Sequence, residues 1–378
     1  MLIRNIFHNL LNIPGWRTNR KIVVIESDDW GSIRMPSVEV YDTLVKKGVT
    51  LGKYGYEKVD TIASRSDLEK LFEVCDSFRD INGRPLVITA NAVVANPDFQ
   101  KIKESDYQEY FYEPITTTME RYYPGHSPFP LWIEGMEAGV FHPQLHGREH
   151  INVPMWLNSL RHNHPGARDA FDCGVFSFIV DKSIDVRVKN TSAYHYLNEK
   201  ELEFDKQSII EGASLFKELF SFESKSFIAP SYKWDEQIEE TLSQVGVKYL
   251  QGMVSHFSNG KRKINPVGRR NKNGQLYLNG NASFEYSQNP NFDWIGDSMQ
   301  RIEIAFRWYK PVTISAHRLN FIGAISEKNR DENLIRFKKF ITMIQNRWPD
   351  VEFMASDELG DIIARQDNQT KRQIDKIE

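Results

Sequence analysis

The chain has 378 residues, 40% of them hydrophobic and 26% charged, and 48 basic and 51 acidic side chains give it a formal net charge of −3. This composition is typical of a globular protein and excludes a disordered one. The balanced charge also gives no sign of the basic surface with which proteins bind nucleic acid. No stretch approaches the roughly twenty apolar residues of a membrane span. The length fits two average domains or one large α/β barrel.

The N-terminal segment, residues 1–20, is predicted to contain an amphipathic helix that packs against the rest of the chain. Contact with a membrane surface is the alternative for this segment. Polar residues such as Arg4, Asn5 and His8 interrupt its apolar positions, so it lacks the continuous apolar core of a secretory signal. We therefore expect a cytoplasmic protein.

Predicted strands and helices alternate from Lys21 onward. The first strand, 21–27, is a continuous β-branched run of the kind that is buried on both faces of a sheet. The other predicted strands are 85–90, 137–141, 174–180, 226–232, 247–252, 311–317 and 351–355. The predicted helices are 37–48, 65–80, 154–160, 199–220, 234–245, 293–309, 331–347 and one with Ser356 as its N-cap. The segments 98–135 and 257–292 are predicted to be irregular, the second with one short hairpin.

This alternation predicts a single α/β domain, a distorted (β/α) barrel over residues 21–365 that is followed by a polar tail, 366–378. An open doubly wound sheet with a nucleotide site is not expected, because no glycine-rich loop follows the first strand. The oligomeric state stays open.

Histidines are concentrated in one short stretch, where three of the ten in the chain are His142, His146 and His150. The last two are four residues apart, so both imidazoles can face one point on a helical turn or in a tight loop. Neutral imidazole nitrogens are good ligands for zinc and neighbouring metals.

Other predicted strands also end in polar side chains, namely Asp28 with Asp29, Ser231 with Tyr232, and His317. In a barrel these ends open onto one face, so residues distant in sequence converge. One aspartate with two histidines makes a three-ligand metal site with open positions. The second aspartate is then a candidate general base, and His317 a candidate general acid.

These segments resemble the motifs of the polysaccharide deacetylase (NodB-homology) superfamily, also called carbohydrate esterase family 4. The pair Asp28-Asp29, followed by Trp30-Gly31, resembles its Thr-Phe-Asp-Asp-Gly motif with one residue inserted, and His146 to His150 resembles its His-(Ser/Thr)-x-x-His motif. The resemblance implies a distorted barrel, often of seven strands. It also implies Asp28 as base, His317 as acid, and Asp29, His146 and His150 as ligands of a divalent metal, zinc above all.

The later motifs match only in part. Pro230 and Tyr232 are similar to the Arg-x-Pro-Tyr motif, but Ile228 stands where the family has the arginine that orients the base. Arg148 and Arg318 are the candidates to replace this arginine. The resemblance also implies an oxyanion contact from Ser231 or Tyr232 and a supporting role for Asp293 in the Asp-Trp motif. Trp30 and His142 are expected to be further oxyanion or substrate contacts, although His142 matches no family position and a structural role is its alternative.

The function predicted from the resemblance is metal-dependent hydrolysis of N- or O-linked acetyl groups on a carbohydrate. One alternative is a glycoside hydrolase that uses Asp28 with Asp293 or Glu149 as its carboxylate pair. The other is a catalytically degenerate relative that binds glycans through its aromatic residues. Metal content separates the first alternative from the deacetylase, because a carboxylate pair does not need the histidines.

Overall fold

A computed structural model of the chain describes residues 2–51, 55–178, 190–258 and 261–374. The helices are α1 (Leu2–Leu11), α2 (Val38–Lys46), α3 (Tyr56–Val59), α4 (Arg65–Asp76), α5 (Phe99–Glu104), α6 (Ile115–Tyr122), α7 (Phe129–Glu137), α8 (Val153–Arg161), α9 (Ala167–Asp172), α10 (Glu199–Phe220), α11 (Glu236–Gln244), α12 (Trp294–Arg307), α13 (Glu327–Arg347) and α14 (Ser356–Ile374). Short 3₁₀ turns lie at Pro230–Tyr232 and Arg318–Asn320.

The strands are β1 (Lys21–Trp30), β2 (Ile88–Ala92), β3 (Ala95–Pro97), β4 (Tyr112–Pro114), β5 (Phe141–Leu145), β6 (Ser226–Phe227), β7 (Tyr249–Met253), β8 (Ser255–Ser258), β9 (Lys261–Ile264), β10 (Leu276–Gly280), β11 (Ala282–Phe284), β12 (Val312–His317) and β13 (Val351–Phe353). The main sheet runs β10-β7-β6-β5-β2-β1-β12-β11, with β13 beside the start of β1, and its pairs are parallel. The predicted α/β class is therefore confirmed.

One segment of chain joins the two ends of this sheet. Gly280 in β10 pairs with Met253, and after Asn281 alone Ala282 in β11 pairs with Ile314 in β12. The Asn281 side chain accepts a hydrogen bond from the backbone N–H of Thr313 and so fixes the crossing. No ladder pairs β10 with β11 among the described residues. Counted as one bent strand, β10 and β11 bring the path of the main sheet, without β13, to seven strands.

The two faces of β1 pack into two different buried clusters. One is the large core beneath the helices, and the other lies on the opposite face of the sheet, its interior. Val23 and Ile25 belong to the large cluster beneath the surrounding helices, whereas Ile22 and Val24 pack in a second cluster with Leu359 and other residues of α14. Alternation of side chains along a strand places Glu26 and Asp28 on the same face as Ile22 and Val24. The interior thus changes from apolar at the start of β1 to acidic at its end.

Several predicted elements need correction. The strand expected at 137–141 is instead the end of α7 and a turn at Gly139 (φ 69°), and β5 begins at Phe141. The segment 98–135 contains α5, α6 and α7. The expected hairpin is formed by β8 and β9 and begins at Ser255, and the segment 257–292 also contains β10 and β11. Of the strand expected at 174–180, residues 174–178 are irregular and the last two lie outside the described part.

Both terminal segments contact the domain. The indole of Trp308 donates to the Asn9 side chain, and the buried Lys310 ammonium donates to the backbone carbonyls of Gly15 and Trp16. At the other end α14 continues to Ile374, so helix crosses the boundary predicted at 365. Within the described ranges, none of the helices has the length and apolarity that crossing a membrane requires.

Candidate active site with a metal-binding cluster

A cavity of about 430 Å³ opens at the carboxyl ends of the strands. Polar and charged side chains dominate its walls, which are formed by Asp28, Asp29, Arg34, Tyr56, Glu57, His146, His150, Ser177, Thr191, Ser192, Ala229, Ser231, Tyr232, Lys233, Gln288 and His317. Both aspartates and three of the predicted histidines are among them. The parallel strands therefore bring these residues together as the sequence predicted.

Asp29, His146 and His150 form a compact cluster whose candidate ligand atoms all lie within 4.8 Å of one another. Asp29 Oδ1 is 3.4 Å from His146 Nε2 and 3.0 Å from His150 Nε2. His146 Nδ1 donates to the carbonyl of Ile228 at 2.9 Å, which leaves the lone pair of Nε2 facing the cluster. That buried Nε2 has no hydrogen-bond partner among the described residues. The geometry suits three ligands of one metal ion.

A bulge at the end of β1 turns Asp29 towards the histidines. The pairing of β1 with β2 shifts register between Ser27 and Trp30, and Asp29 has a φ of 74°. A left-handed backbone costs a non-glycine residue about 1–3 kcal/mol, so such strain is found chiefly at functional sites. Gly31 (φ 81°) completes the turn. Glycine is required there, because a Cβ would lie 2.6 Å from the carbonyl oxygen of Val93. Asp28 and Asp29 are consecutive, but the bulge allows them to face different partners.

Burial and charge set the protonation of the cluster. Burial, reinforced by the positive charge of Arg34, lowers the pKa of His150 to about 4, so its imidazole is neutral at neutral pH. Burial opposes ionisation of Asp29, but the adjacent His150 and Arg34 outweigh it and hold the pKa of Asp29 well below its ordinary value. A neutral imidazole beside an ionised carboxylate is the state that binds a metal.

Asp28 lies beside this cluster and is held by neutral donors. Asn91 Nδ2 donates to Asp28 Oδ1 at 2.6 Å, and the Tyr232 hydroxyl donates to Oδ2 at 3.1 Å. His317 Nε2 is 3.9 Å from the same Oδ2. Within the described part of the chain no arginine forms an ion pair with Asp28. Neutral donors thus orient Asp28, the role that the motif resemblance assigns to an arginine.

His317 is paired with a carboxylate that the sequence did not single out. Glu285 Oε1 is 2.6 Å from His317 Nδ1, and the amide of Asn320 donates to Glu285 Oε2 at 3.0 Å. Burial acts to lower the pKa of His317, but the charge and hydrogen bond of Glu285 outweigh it and raise the pKa to about 10. His317 therefore carries a proton at neutral pH and can donate it from Nε2.

Ser231 and Tyr232 lie in the tight turn after β6, where both have a left-handed backbone (φ 59° and 55°). The backbone N–H of Tyr232 donates to the carbonyl of Ala229 at 2.9 Å, so it is already engaged. The N–H of Ser231 is then the better candidate for an oxyanion donor from this turn. The Ser231 hydroxyl donates to the Thr191 carbonyl at 3.1 Å, which fixes the turn against the neighbouring segment.

Trp30 and His142 do not line the cavity. Trp30 is fully buried, packs edge-on against Phe141 and donates its indole N–H to Ser27. His142 is in β5 and stacks on Phe222. Both side chains leave their strands towards packing partners away from this cavity, and their expected contact with substrate stays a prediction.

The three supporting residues expected from the motifs are also outside the cavity. Arg148 is buried in ion pairs with Glu149 and Glu211, and Asp293 is the N-cap of α12. Arg318 donates to Asp60 instead of Asp28. Among the described residues neither arginine pairs with Asp28, and the carboxylate hydrogen-bonded to His317 is Glu285.

The sequence did not reveal four further functional candidates: Arg34 and Tyr56 line the cavity, whereas Asn91 and Glu285 contact Asp28 and His317. A local signal existed for one of them, since Asn91 follows the predicted strand 85–90 directly. Glu285 follows β11, whose Phe284 pairs with Ala316, so sheet register sets it opposite His317. Because strand β11 was not predicted from the sequence, the position of Glu285 opposite His317 was not predicted either.

No protein-family model matches the chain, and no curated protein matches it. Solved structures similar to it include a probable polysaccharide deacetylase from Pseudomonas aeruginosa PAO1 (TM-score 0.42, 13% identity, covering 92% of this chain and 91% of that one). The α-amylase AmyC from Thermotoga maritima has a TM-score of 0.45 and 10% identity over 90% of this chain and 74% of its own. A carbohydrate esterase family 4 pseudoenzyme from Bacillus anthracis has a TM-score of 0.35 and 8% identity, and the match covers 88% of this chain and 63% of that one. At such values these likenesses carry no conclusion about function.

Proposed function

We propose that this protein is a metal-dependent hydrolase that removes acetyl groups from a carbohydrate. The observation that carries the proposal is the convergence of the Asp29–His146–His150 cluster with Asp28 and His317 in one cavity. A metal site alone would fit many functions. The addition of a carboxylate and a protonated histidine on its open side supplies the base and the acid that hydrolysis of an acyl bond needs.

Zinc is the metal that the donor set fits best. Two imidazole nitrogens and one carboxylate oxygen form the kind of three-ligand site that zinc uses in hydrolases, with a position left open. When bound there, zinc supplies Lewis-acid polarisation of the acyl carbonyl and lowers the pKa of water.

The chain itself supplies the proton transfers. Asp28, oriented by Asn91 and Tyr232, removes a proton from the attacking water. The N–H of Ser231 is available to the negative oxygen that develops in the tetrahedral intermediate. His317 donates its Nε2 proton to the departing amine or alcohol, while Glu285 stabilises the imidazolium beforehand.

The proposal is tested by elemental analysis of the purified protein, followed by acetate release from a panel of N- and O-acetylated sugars with and without chelator. We expect zinc to co-purify, chelator to abolish acetate release, and added zinc to restore it. Acetate release that survives complete removal of the metal would refute the proposal.

The two alternatives give different results in the same assay. Cleavage of glycosidic bonds without metal would establish a glycoside hydrolase, although Asp293 and Glu149, the partners suggested for Asp28, are outside the cavity. Glycan binding with zinc bound but no acetate released from any substrate would establish a degenerate relative.

A further inference from the structure

A chain of four buried charged residues leads from the metal-binding cluster into the protein. Asp29 Oδ1 faces the two histidines, and its other oxygen, Oδ2, is 3.3 Å from Nη2 of Arg34. Both side chains are almost completely buried, at 3% and 6% exposure. Arg34 therefore contacts Asp29 Oδ2, the carboxylate oxygen that does not face the histidines.

The guanidinium of Arg34 is held from several sides. Its Nε is 3.6 Å from Asp60 Oδ2, and its plane lies near the rings of Tyr56 and Phe176, at 5.5 and 5.6 Å. Asp60 is itself fixed by Arg318, whose Nε donates to Oδ1 at 2.9 Å and whose Nη2 donates to Oδ2 at 3.3 Å. Asp60 and Arg318 are fully buried. Arg34 has little freedom to leave Asp29.

The signs of the charges alternate along the chain, from Asp29 to Arg34 to Asp60 to Arg318, so the four residues are neutral together. Burial of a single one of them would be costly without its partners. A purely structural ion chain would satisfy this requirement anywhere in the core. This chain instead ends on the one carboxylate of the metal-binding cluster and borders the cavity through Arg34.

We propose that Arg34 is a positioning residue for the metal ligand Asp29, held by Asp60, which Arg318 anchors. The inference rests on the proposed metal-dependent function and assigns it a residue that no motif indicates. Arg34 occupies Oδ2, so Asp29 presents Oδ1 alone to the metal. A ligand restricted to one oxygen leaves coordination positions free for water and the substrate carbonyl.

Zinc affinity, measured by competition with a chromophoric chelator, tests this role independently of any activity. We expect Arg34→Met to weaken zinc binding about 10–100-fold, the effect usual for residues that orient metal ligands. Asp60→Asn, which keeps the volume but removes the anchoring charge, should weaken it less. The visible spectrum of the cobalt(II) form gives a second readout. Its absorption should become weaker in Arg34→Met, because Asp29 gains a second coordinating oxygen and the coordination number rises.

Arg330 provides a matched control. It is buried like Arg34 and pairs with buried Asp67 at 2.9 Å, but it does not border the cavity. Arg330→Met should destabilise the fold and leave zinc affinity and the cobalt spectrum unchanged. If it weakens zinc binding as much as Arg34→Met, the effect is general destabilisation and the inference is overturned.

The remaining outcomes separate the inference from the function it rests on. A wild-type protein that binds no zinc would overturn both. Zinc binding by the wild type with unchanged affinity in Arg34→Met would overturn the positioning role alone. If Arg34→Met does not fold, Asp60→Asn decides, and unchanged affinity in that variant has the same meaning.

Discussion

The cavity has two halves that each combine an aspartate with histidine, but their surroundings differ in charge. In the metal half, formed by Asp29, His146 and His150, the nearby charge is the cation of Arg34. In the acid–base half, formed by Asp28 and His317, it is the anion of Glu285. The pKa of His150 falls to about 4, whereas the pKa of His317 rises to about 10.

This difference shows how one buried cavity holds a neutral and a protonated histidine at the same pH. Burial lowers the pKa of both imidazoles, so it cannot distinguish them. At His317 the anion of Glu285 outweighs burial and raises the pKa, whereas at His150 the cation of Arg34 adds to the effect of burial. The cation favours the neutral imidazole that a metal ligand must be, and the anion favours the protonated imidazole that an acid must be. Single substitutions can alter each half separately.

The largest effect is expected from Asp29→Ala, which removes the only carboxylate of the metal half. Bound zinc should fall from about one ion per chain to none, because two imidazoles alone do not complete the three-ligand set. Acetate release should fall to background. Elemental analysis and the acetate assay measure the two losses.

Asp293→Ala is the control for this change, since Asp293 is the N-cap of α12, away from the cavity. It should retain zinc and lose about 1 kcal/mol of unfolding free energy. Zinc retained at wild-type affinity in Asp29→Ala would remove Asp29 from the ligand set.

Asp28→Asn alters only the acid–base half. The amide keeps the shape of the carboxylate but cannot accept the proton of water, so turnover should fall about 10²–10⁴-fold while zinc stays bound. Steady-state rates of acetate release, with zinc content measured on the same sample, test this. An Asp28→Asn variant with wild-type turnover would show that another residue is the base.

Glu285→Gln should change the pH dependence of turnover. His317 acts as an acid only while it is protonated, so activity is present below its pKa and is lost as the pH rises through that value. Glu285 raises this pKa. Its replacement by a neutral amide should move the alkaline limb of the kcat profile to lower pH by about 1–3 units.

A companion variant, His317→Gln, should remove this alkaline limb altogether and lower kcat throughout. If Glu285→Gln leaves the limb where it is in the wild type, Glu285 does not set the protonation of the acid.

The smallest effect is expected from Tyr232→Phe, which removes one of the two neutral donors to Asp28. Asn91 remains in place, so kcat should fall about tenfold, as expected for one hydrogen bond to a charged group. Tyr196→Phe removes a phenol–carboxylate hydrogen bond to Asp235 outside the cavity and should leave kcat unchanged. Equal rates for Tyr232→Phe and the wild type would show that Asn91 alone orients the base.

Much of the fold was predictable from local patterns. Helix α10 has the bounds that its apolar periodicity predicted, and α2 lies within the helix predicted at 37–48. The strands β10 and β11 were missed because Asn279, Gly280 and Asn281 interrupt them, a composition that usually marks a loop. At this point the segment stops pairing with β7 and begins pairing with β12. The hydrogen bonds to these strands stabilise a segment whose own residues have a weak preference for strand.

The candidate site was predictable in its principal residues but not in their surroundings. Asp28, Asp29, His146, His150 and His317 follow strands or lie at their ends, and the carboxyl ends of parallel strands meet on one face. Trp30, Arg148 and Asp293 were expected to act in the site but lie outside the cavity. Local motif spacing does not tell whether a side chain continues into the core, pairs with a neighbour or caps a helix.

The sequence by itself determined the α/β class and the residues that meet at the carboxyl ends of the strands, because strand patterns and the residues that follow them are local. Only the tertiary structure decided which charge stands beside each of them. Glu285 reaches His317 through the register of β11 against β12, and Arg34 reaches Asp29 through the bulge at the end of β1. Such contacts depend on the packing of distant segments, so the protonation of the two histidines follows from the fold and not from their motifs.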